Sequence, residues 1–103
     1  MSPGFAAASA AADVPEGGGV VVQINGEAVF ICKADGRLHA MNNACPHAEA
    51  PLSAGRIRGG TIMCAAHGAR FDLQTGQPLG AVFCPGLVLR EVKIVDGQVF
   101  VGK

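Results

Sequence analysis

The sequence has no excess of charge of either sign. Its 103 residues include eight Lys and Arg and eight Asp and Glu, spread along the chain, so the formal net charge at pH 7 is zero. Proteins that bind nucleic acid or anionic membrane surfaces usually concentrate basic residues for that purpose. We therefore expect neither nucleic acid nor a membrane among the partners.

Targeting segments are also missing from the sequence. The first 19 residues contain no Lys or Arg, whereas a secretory signal has a basic start followed by a sustained apolar stretch. No run approaches the roughly 18 apolar residues of a membrane span. These absences predict a cytoplasmic protein. The length predicts one domain, residues 1–103, which is too small for a catalytic cavity with its own lid.

Short β-rich pieces separated by glycine turns make up much of the chain. Asn-Gly and Asp-Gly pairs accept the positive φ angles of tight hairpin turns, while Val, Ile and Phe favour pleated strands. The predicted turns are at 25–26, 35–36 and 96–97. The predicted strands are 20–24, 27–33, 37–41, 87–95 and 98–101. The pattern predicts an all-β protein.

The segment from about residue 43 to 85 differs from the rest. It contains many Gly and Pro residues and little continuous apolar periodicity, which indicates loops. A loop region of this size inside a compact domain needs a function or a bound centre to order it. We therefore predict a β base that carries a loop-rich, cluster-binding subdomain.

Two short motifs in this segment supply metal ligands. Cys45-Pro-His47 and Cys64-Ala-Ala-His67 offer two thiolates and two imidazoles. Such a set fits either a tetrahedral zinc site or a [2Fe–2S] cluster with two histidines on one iron. The familiar zinc finger pairs cysteine with cysteine and histidine with histidine, whereas here each loop supplies one of each. This favours one [2Fe–2S] cluster, with zinc as the alternative.

The two motifs and their surroundings resemble the signature of Rieske iron–sulfur domains. The further matches are Pro51-Leu52-Ser53-x-Gly55, Arg70-Phe71-Asp72, Thr75-Gly76 and Pro85-Gly86. The resemblance runs from about residue 19 to the C-terminus. It implies an all-β Rieske fold, with an antiparallel β-sandwich base and the cluster at its tip. It also implies that Cys45 and Cys64 bind one iron, that His47 and His67 bind the other, and that Pro85 lies in a shielding loop.

Four positions depart from the high-potential Rieske proteins of respiratory complexes. Those proteins resemble this pattern but have a disulfide-forming cysteine at the positions of Ala50 and Ala66, a serine at Ala69 and a tyrosine at Phe71. The hydroxyls donate hydrogen bonds to sulfur, and losing such bonds lowers the potential of a cluster. We therefore expect a midpoint toward the lower end of the Rieske range of about −150 to +300 mV.

The chain is most similar in pattern to the small Rieske ferredoxins of aromatic ring-hydroxylating dioxygenase systems. That resemblance implies a one-electron carrier in aromatic hydrocarbon catabolism, and not an enzyme by itself. We expect a monomer, because nothing in the sequence demands a larger assembly. Its partners would be an NAD(P)H-dependent flavoprotein reductase and a terminal oxygenase. The alternatives are the small Rieske subunit of a nitrite reductase-like multi-component oxidoreductase, or a structural zinc module.

Three other side chains invite a functional interpretation. Cys32 lies in an apolar strand, where a cysteine packs as a small hydrophobic residue. His39 has no cysteine at ligand spacing, so we expect a structural or surface role. Cys84 precedes Pro85 in the predicted shielding loop, where packing is the favoured role and modulation of the cluster is the alternative.

Overall fold

The computed structural model describes residues 4–46, 50–65, 68–80 and 85–102. Within these ranges the chain forms ten strands and two short 3-10 helices, Ala11–Asp13 and Leu52–Ala54. The strands are β1 (Phe5–Ala10), β2 (Gly19–Ile24), β3 (Glu27–Ala34), β4 (Arg37–Asn42), β5 (Arg56–Arg58), β6 (Thr61–Met63), β7 (Arg70–Asp72), β8 (Leu89–Arg90), β9 (Val92–Val95) and β10 (Gln98–Gly102). No helix in the described ranges has the length and apolar character needed to cross a membrane.

The strands form three antiparallel sheets. Two sheets, with strand orders β1-β10-β9 and β2-β3-β4-β8, make the base. The third, β5-β6-β7, lies in the segment that contains the proposed ligands. One apolar core fills the base, formed by Val14, Ile24, Val29, Ile31, Ala40, Val99 and Val101. The predicted all-β fold, a sandwich base with a separate ligand-bearing part, is confirmed.

The three predicted hairpin turns are present. Asn25, Asp35 and Asp96 have φ angles of 52, 53 and 51°, and the glycine after each is also positive, at 82, 76 and 77°. Two successive positive φ angles define the turn that matches the twist of a two-residue hairpin. The strands around these turns follow the prediction to within one residue in β2, β3, β4 and β10.

The predicted strand at 87–95 is wrong in its continuity, because the chain changes sheets inside it. Arg90 in β8 pairs with Ala40 of β4, whereas Val92 in β9 pairs with Val101 of β10. Glu91 lies between them, and its carbonyl accepts a hydrogen bond from the Gly102 N–H at 2.9 Å. One continuous segment of the chain therefore contributes strands to both sheets of the base.

Four strands have no counterpart in the sequence-based prediction. β1 is rich in alanine and becomes a strand through its antiparallel pairing with β10. β5, β6 and β7 have three residues each and lie within the segment predicted to be loops. The ligand-bearing part therefore contains a small sheet of its own.

Strand β3 separates two cores. Its side chains alternate, so that Val29 and Ile31 face the base core while Phe30, Cys32 and Ala34 face a second core. The second core also contains Met41, Cys45, Leu52, Ile62, Cys64, Ala69, Phe71, Leu73 and Leu87. Strands alternate their side chains between faces, which is what lets one strand line both cores.

Candidate iron–sulfur site

The two cysteines of the proposed site begin loops of the same design. Cys45 comes three residues after the end of β4, and Cys64 directly follows β6. The Cys45 N–H donates to the Ala50 carbonyl at 2.9 Å, and the Cys64 N–H donates to the Ala69 carbonyl at 2.7 Å. Each loop is thus closed by a backbone bond from the cysteine to the residue five positions later.

The structure brings Cys45 and Cys64 into the same core. Their side chains are 5 % and 1 % exposed, and no disulfide joins them. Two buried thiols on paired loops, surrounded by apolar side chains, fit the cysteine half of a Rieske cluster, because iron binds thiolate and the apolar shell limits access of water.

The other half of the predicted ligand set lies outside the described residues. These two ligands are His47 and His67, and Ala66 and Cys84 also lie outside the described residues. Within the described ranges no three His, Cys, Asp or Glu residues form a group that could hold a metal ion. The assignment of the two histidines therefore stays a prediction, as does the role of Cys84.

The first loop is held in place from Asn43. Its side-chain oxygen accepts a hydrogen bond from the Ser53 N–H at 2.8 Å, and its side-chain nitrogen donates to the Ser53 hydroxyl at 3.1 Å. Ser53 belongs to the short 3-10 helix Leu52–Ala54, and the fully buried side chain of Leu52 anchors this helix in the second core. Sequence reasoning missed Asn43, although an amide beside a ligand motif is a signal for a hydrogen-bonded loop.

The second loop leads into a turn organised by Asp72. One carboxylate oxygen of Asp72 accepts hydrogen bonds from the N–H groups of Gln74 and Thr75, at 2.7 and 3.1 Å. Its carbonyl accepts a third from the Gly76 N–H at 2.7 Å. This arrangement is an Asx turn, so the aspartate of the Arg-Phe-Asp motif has a structural role.

Two glycines fasten the segment that carries Pro85. The Leu87 N–H donates to the Gly76 carbonyl at 2.7 Å. A Cβ atom on Gly86 would lie 2.7 Å from that same carbonyl oxygen, so the close approach requires glycine. Pro85 is exposed. Its shielding role stays a prediction because residues 81–84 lie outside the described part of the chain.

The remaining cysteine and histidine of the described chain are paired across strands β3 and β4. Cys32 is fully buried in β3, and burial raises the pKa of its thiol to about 12. This confirms the expected core role. His39 is opposite Cys32 in the β3–β4 register and is partly buried. Burial, with a smaller contribution from the charge of Arg37, lowers the pKa of its imidazole.

Two of the four positions that distinguish this chain from high-potential Rieske proteins lie in the second core. Ala69 is 3 % exposed and Phe71 is 0 % exposed, in the same core as both cysteines. Ala50 packs against this core. At positions 69 and 71 the chain therefore presents carbon where a hydroxyl would donate a hydrogen bond.

Restoring these hydroxyls should raise the reduction potential. We expect the double variant Ala69→Ser with Phe71→Tyr to have a reduction potential higher by roughly 40 mV for each hydrogen bond formed to sulfur. The reason is that a hydrogen bond about 1 kcal/mol stronger to the reduced cluster than to the oxidised cluster shifts a one-electron potential by that amount. Voltammetry of the purified protein measures the shift. Phe100→Tyr, in β10 of the base, is the control and should leave the potential unchanged. A double variant with the wild-type potential would contradict the explanation.

Comparison with known proteins identifies the family. The Rieske [2Fe-2S] domain matches residues 5–87 of the chain. This chain belongs to the Rieske [2Fe-2S] domain family. Its cofactor is therefore a Rieske-type [2Fe–2S] cluster, and the zinc alternative is set aside.

The relatives of this Rieske chain include proteins of similar length. It is 34 % identical over 87 residues to the ferredoxin component of the naphthalene 1,2-dioxygenase/salicylate 5-hydroxylase systems of a Ralstonia species, covering 84 % of each chain. It is 32 % identical over 94 residues to the ferredoxin component of the naphthalene 1,2-dioxygenase system of Pseudomonas putida, covering 91 % of this chain and 90 % of the relative.

Solved structures agree with this assignment. The Sphingomonas yanoikuyae B1 ferredoxin superimposes with a TM-score of 0.87 at 28 % identity, over 95 % of this chain and 97 % of that one. A chain of the complex of reduced oxygenase and oxidized ferredoxin in carbazole 1,9a-dioxygenase gives a TM-score of 0.88 at 27 % identity, over 98 % of this chain and 94 % of that one. The Rieske ferredoxin fold is thus shared along nearly the whole chain.

Proposed function

We propose that this Rieske protein carries single electrons from an NAD(P)H-dependent flavoprotein reductase to a terminal oxygenase that hydroxylates aromatic rings. The observation that carries this proposal is the near full-length match to ferredoxin components of dioxygenase systems. One such relative is known in a complex with its oxygenase. The chain is an electron-transfer component and not an enzyme by itself.

The proposed ligands divide between two irons. Cys45 and Cys64 would hold one iron as thiolates, and His47 and His67 would hold the other as neutral imidazoles. Neutral ligands in place of thiolates make the centre less negative, which favours accepting an electron. When bound, the cluster supplies one-electron storage. The polypeptide fixes the two thiols, keeps water from them and sets the polarity around them.

The oligomeric state, cellular location and domain organisation of the protein are part of the same proposal. We propose a monomer in the cytoplasm, made of one domain over residues 1–103 with the cluster-binding subdomain at about 43–85. Support for one domain comes from β3, whose side chains line both cores. A shuttle must leave each partner after transfer, which favours a monomer with a small, transient interface.

A potentiometric titration followed by electron paramagnetic resonance tests this function. We expect the reduced protein, purified anaerobically, to give a [2Fe–2S] signal with the lowered average g-value of mixed Cys and His ligation. Its midpoint should fall near the bottom of the Rieske range of about −150 to +300 mV. A strongly positive midpoint would still indicate a Rieske cluster, but it would contradict the low reduction potential that we expect for this protein. A protein without this signal would contradict the electron-carrier function.

A further inference from the structure

The outer face of the third sheet carries three arginines around one methionine. The register of β5, β6 and β7 aligns Arg56, Met63 and Arg70 in one row across the sheet. Arg58 is two residues after Arg56 on β5, so its side chain lies on the same side. We call these four residues the arginine face. The other side of the sheet carries Ile57, Ile62 and Phe71, which face the second core.

The charge of the arginine face is only partly neutralised within the described residues. All three arginines are exposed, and the ion pair of the described chain joins Arg90 to Glu27 in the base. Asp72 lies in the row of Arg58 and Thr61 on the same side of the sheet, so its carboxylate offsets one of the three positive charges at that edge. That carboxylate accepts the two backbone hydrogen bonds of the Asx turn and forms no ion pair within the described residues. In a protein of zero net charge, three cations thus lie together on one small sheet.

The arginine face begins next to a proposed iron ligand. Met63 directly precedes Cys64, and Arg70 directly follows Ala69, whose carbonyl accepts the Cys64 N–H. The Met63 sulfur lies 4.0 Å from the position that a Cβ atom on Gly68 would occupy. A protein docked on this face would therefore lie beside Cys64, which would hold one iron of the cluster in the proposed ligand assignment.

The composition and shape of the face are those of a contact surface. Met63 is 37 % exposed, and the four residues line a groove of about 380 Å³. Like charges on neighbouring positions of a sheet add no stability to the fold. Arginine and methionine are enriched at protein interfaces, and complementary charge speeds the encounter of two proteins.

We propose that the arginine face is the docking surface for an acidic face on the redox-partner protein, with carboxylates around an apolar centre. Carboxylates bind guanidinium groups through paired hydrogen bonds, and the apolar centre would cover Met63. This inference rests on the proposed carrier function and deepens it by assigning the chemistry of the partner.

Two forms of one acceptor protein test the docking surface. Cytochrome c is basic, and its succinylated form is acidic with the same haem. The reduced, cluster-containing protein is mixed with each form in a stopped-flow instrument at an ionic strength of about 0.1 M, where charges more than about 10 Å apart are largely screened from each other. The test variant combines Arg56→Glu with Arg70→Glu. The control combines Arg37→Glu with Lys93→Glu, which reverses two exposed charges in the base.

We expect the test variant to transfer electrons to succinylated cytochrome c at least about tenfold more slowly than wild type, and to native cytochrome c faster. Both effects should shrink as salt screens the charges. The control should change neither rate more than about twofold, because its charges lie on other sheets. Arg56→Gln and Arg70→Gln give a milder test that should produce the same direction of change.

An unchanged rate with the acidic acceptor, or an equal change in the control, would overturn the docking surface. Failure of the carrier function looks different, because wild-type protein with its cluster present would then reduce neither form of cytochrome c. Iron content and circular dichroism of each variant establish that the cluster and fold are retained.

Discussion

Cys64→Ala should yield a protein that cannot hold its iron. Cys64 is 1 % exposed and shares the second core with Cys45, so water has little access to the position of the missing thiolate, and the other thiol of that core, Cys32, is held within strand β3. A cluster bound through a single thiolate loses half of the anionic ligands that stabilise ferric iron. We expect complete loss of the visible absorption of the cluster, of its resonance signal and of bound iron, measured on protein purified anaerobically.

Cys32→Ala is the matched control for this experiment. Cys32 lies in the same second core and is 0 % exposed, but burial raises the pKa of its thiol to about 12. It is therefore a protonated thiol and not a thiolate at neutral pH. We expect the variant to keep its cluster and to lose only about 1 kcal/mol of stability through the small cavity. A cluster retained without Cys64, or lost without Cys32, would contradict the ligand assignment.

Gly55→Ala should prevent the ligand-bearing sheet from forming normally. The φ angle of Gly55 is −83°, which any residue can adopt, so the restriction is one of space. A Cβ atom there would collide with the Met63 carbonyl oxygen and lie 3.1 Å from the Leu52 carbonyl oxygen. Both obstacles are backbone atoms and cannot rotate aside. We expect a loss of about 3 kcal/mol in the free energy of unfolding, measured by denaturant titration.

Gly55→Ala should also weaken iron binding, because Met63 is followed directly by the proposed ligand Cys64. Displacing the end of β6 shifts one proposed ligand relative to the other, so the iron content of Gly55→Ala should fall as well. Gly60→Ala is the control, since a Cβ on Gly60 meets no atom within 4 Å. It should change the stability by less than about 0.5 kcal/mol. Equal losses in the two variants would refute the steric explanation.

Local chemistry explains which parts of the fold could be predicted from the sequence. The hairpin turns were predictable because an Asx-Gly pair between two strand-forming runs strongly favours the positive φ angles of a two-residue turn. The cysteine loops were predictable because each motif lies within a few consecutive residues. The same holds for the cofactor, which the family assignment bears out.

The undetected strands depend on partners distant in the chain. Strands β5 and β7 each have one apolar residue between two polar ones, Arg-Ile-Arg and Arg-Phe-Asp. Strand β6 is Thr-Ile-Met, in which Met63 takes the place of the second polar residue. Three residues are too few for a reliable period, so the shared face of these strands appears only once their register is known. β1 is rich in alanine, whose small side chain gives no strand signal, and it is fixed by pairing with β10.

The position of β3 between two cores links iron supply to the lifetime of the polypeptide. Because Phe30 and Cys32 serve the core that contains Cys45 and Cys64, while Val29 and Ile31 serve the base, neither core can lose the strand and leave the other intact. The free energy of cluster binding should then stabilise the whole domain, which we expect to melt in one step at a temperature that rises when the cluster is bound. A cell short of iron would produce chains that unfold readily and are degraded. Protein abundance would thus follow cofactor availability without a separate regulator.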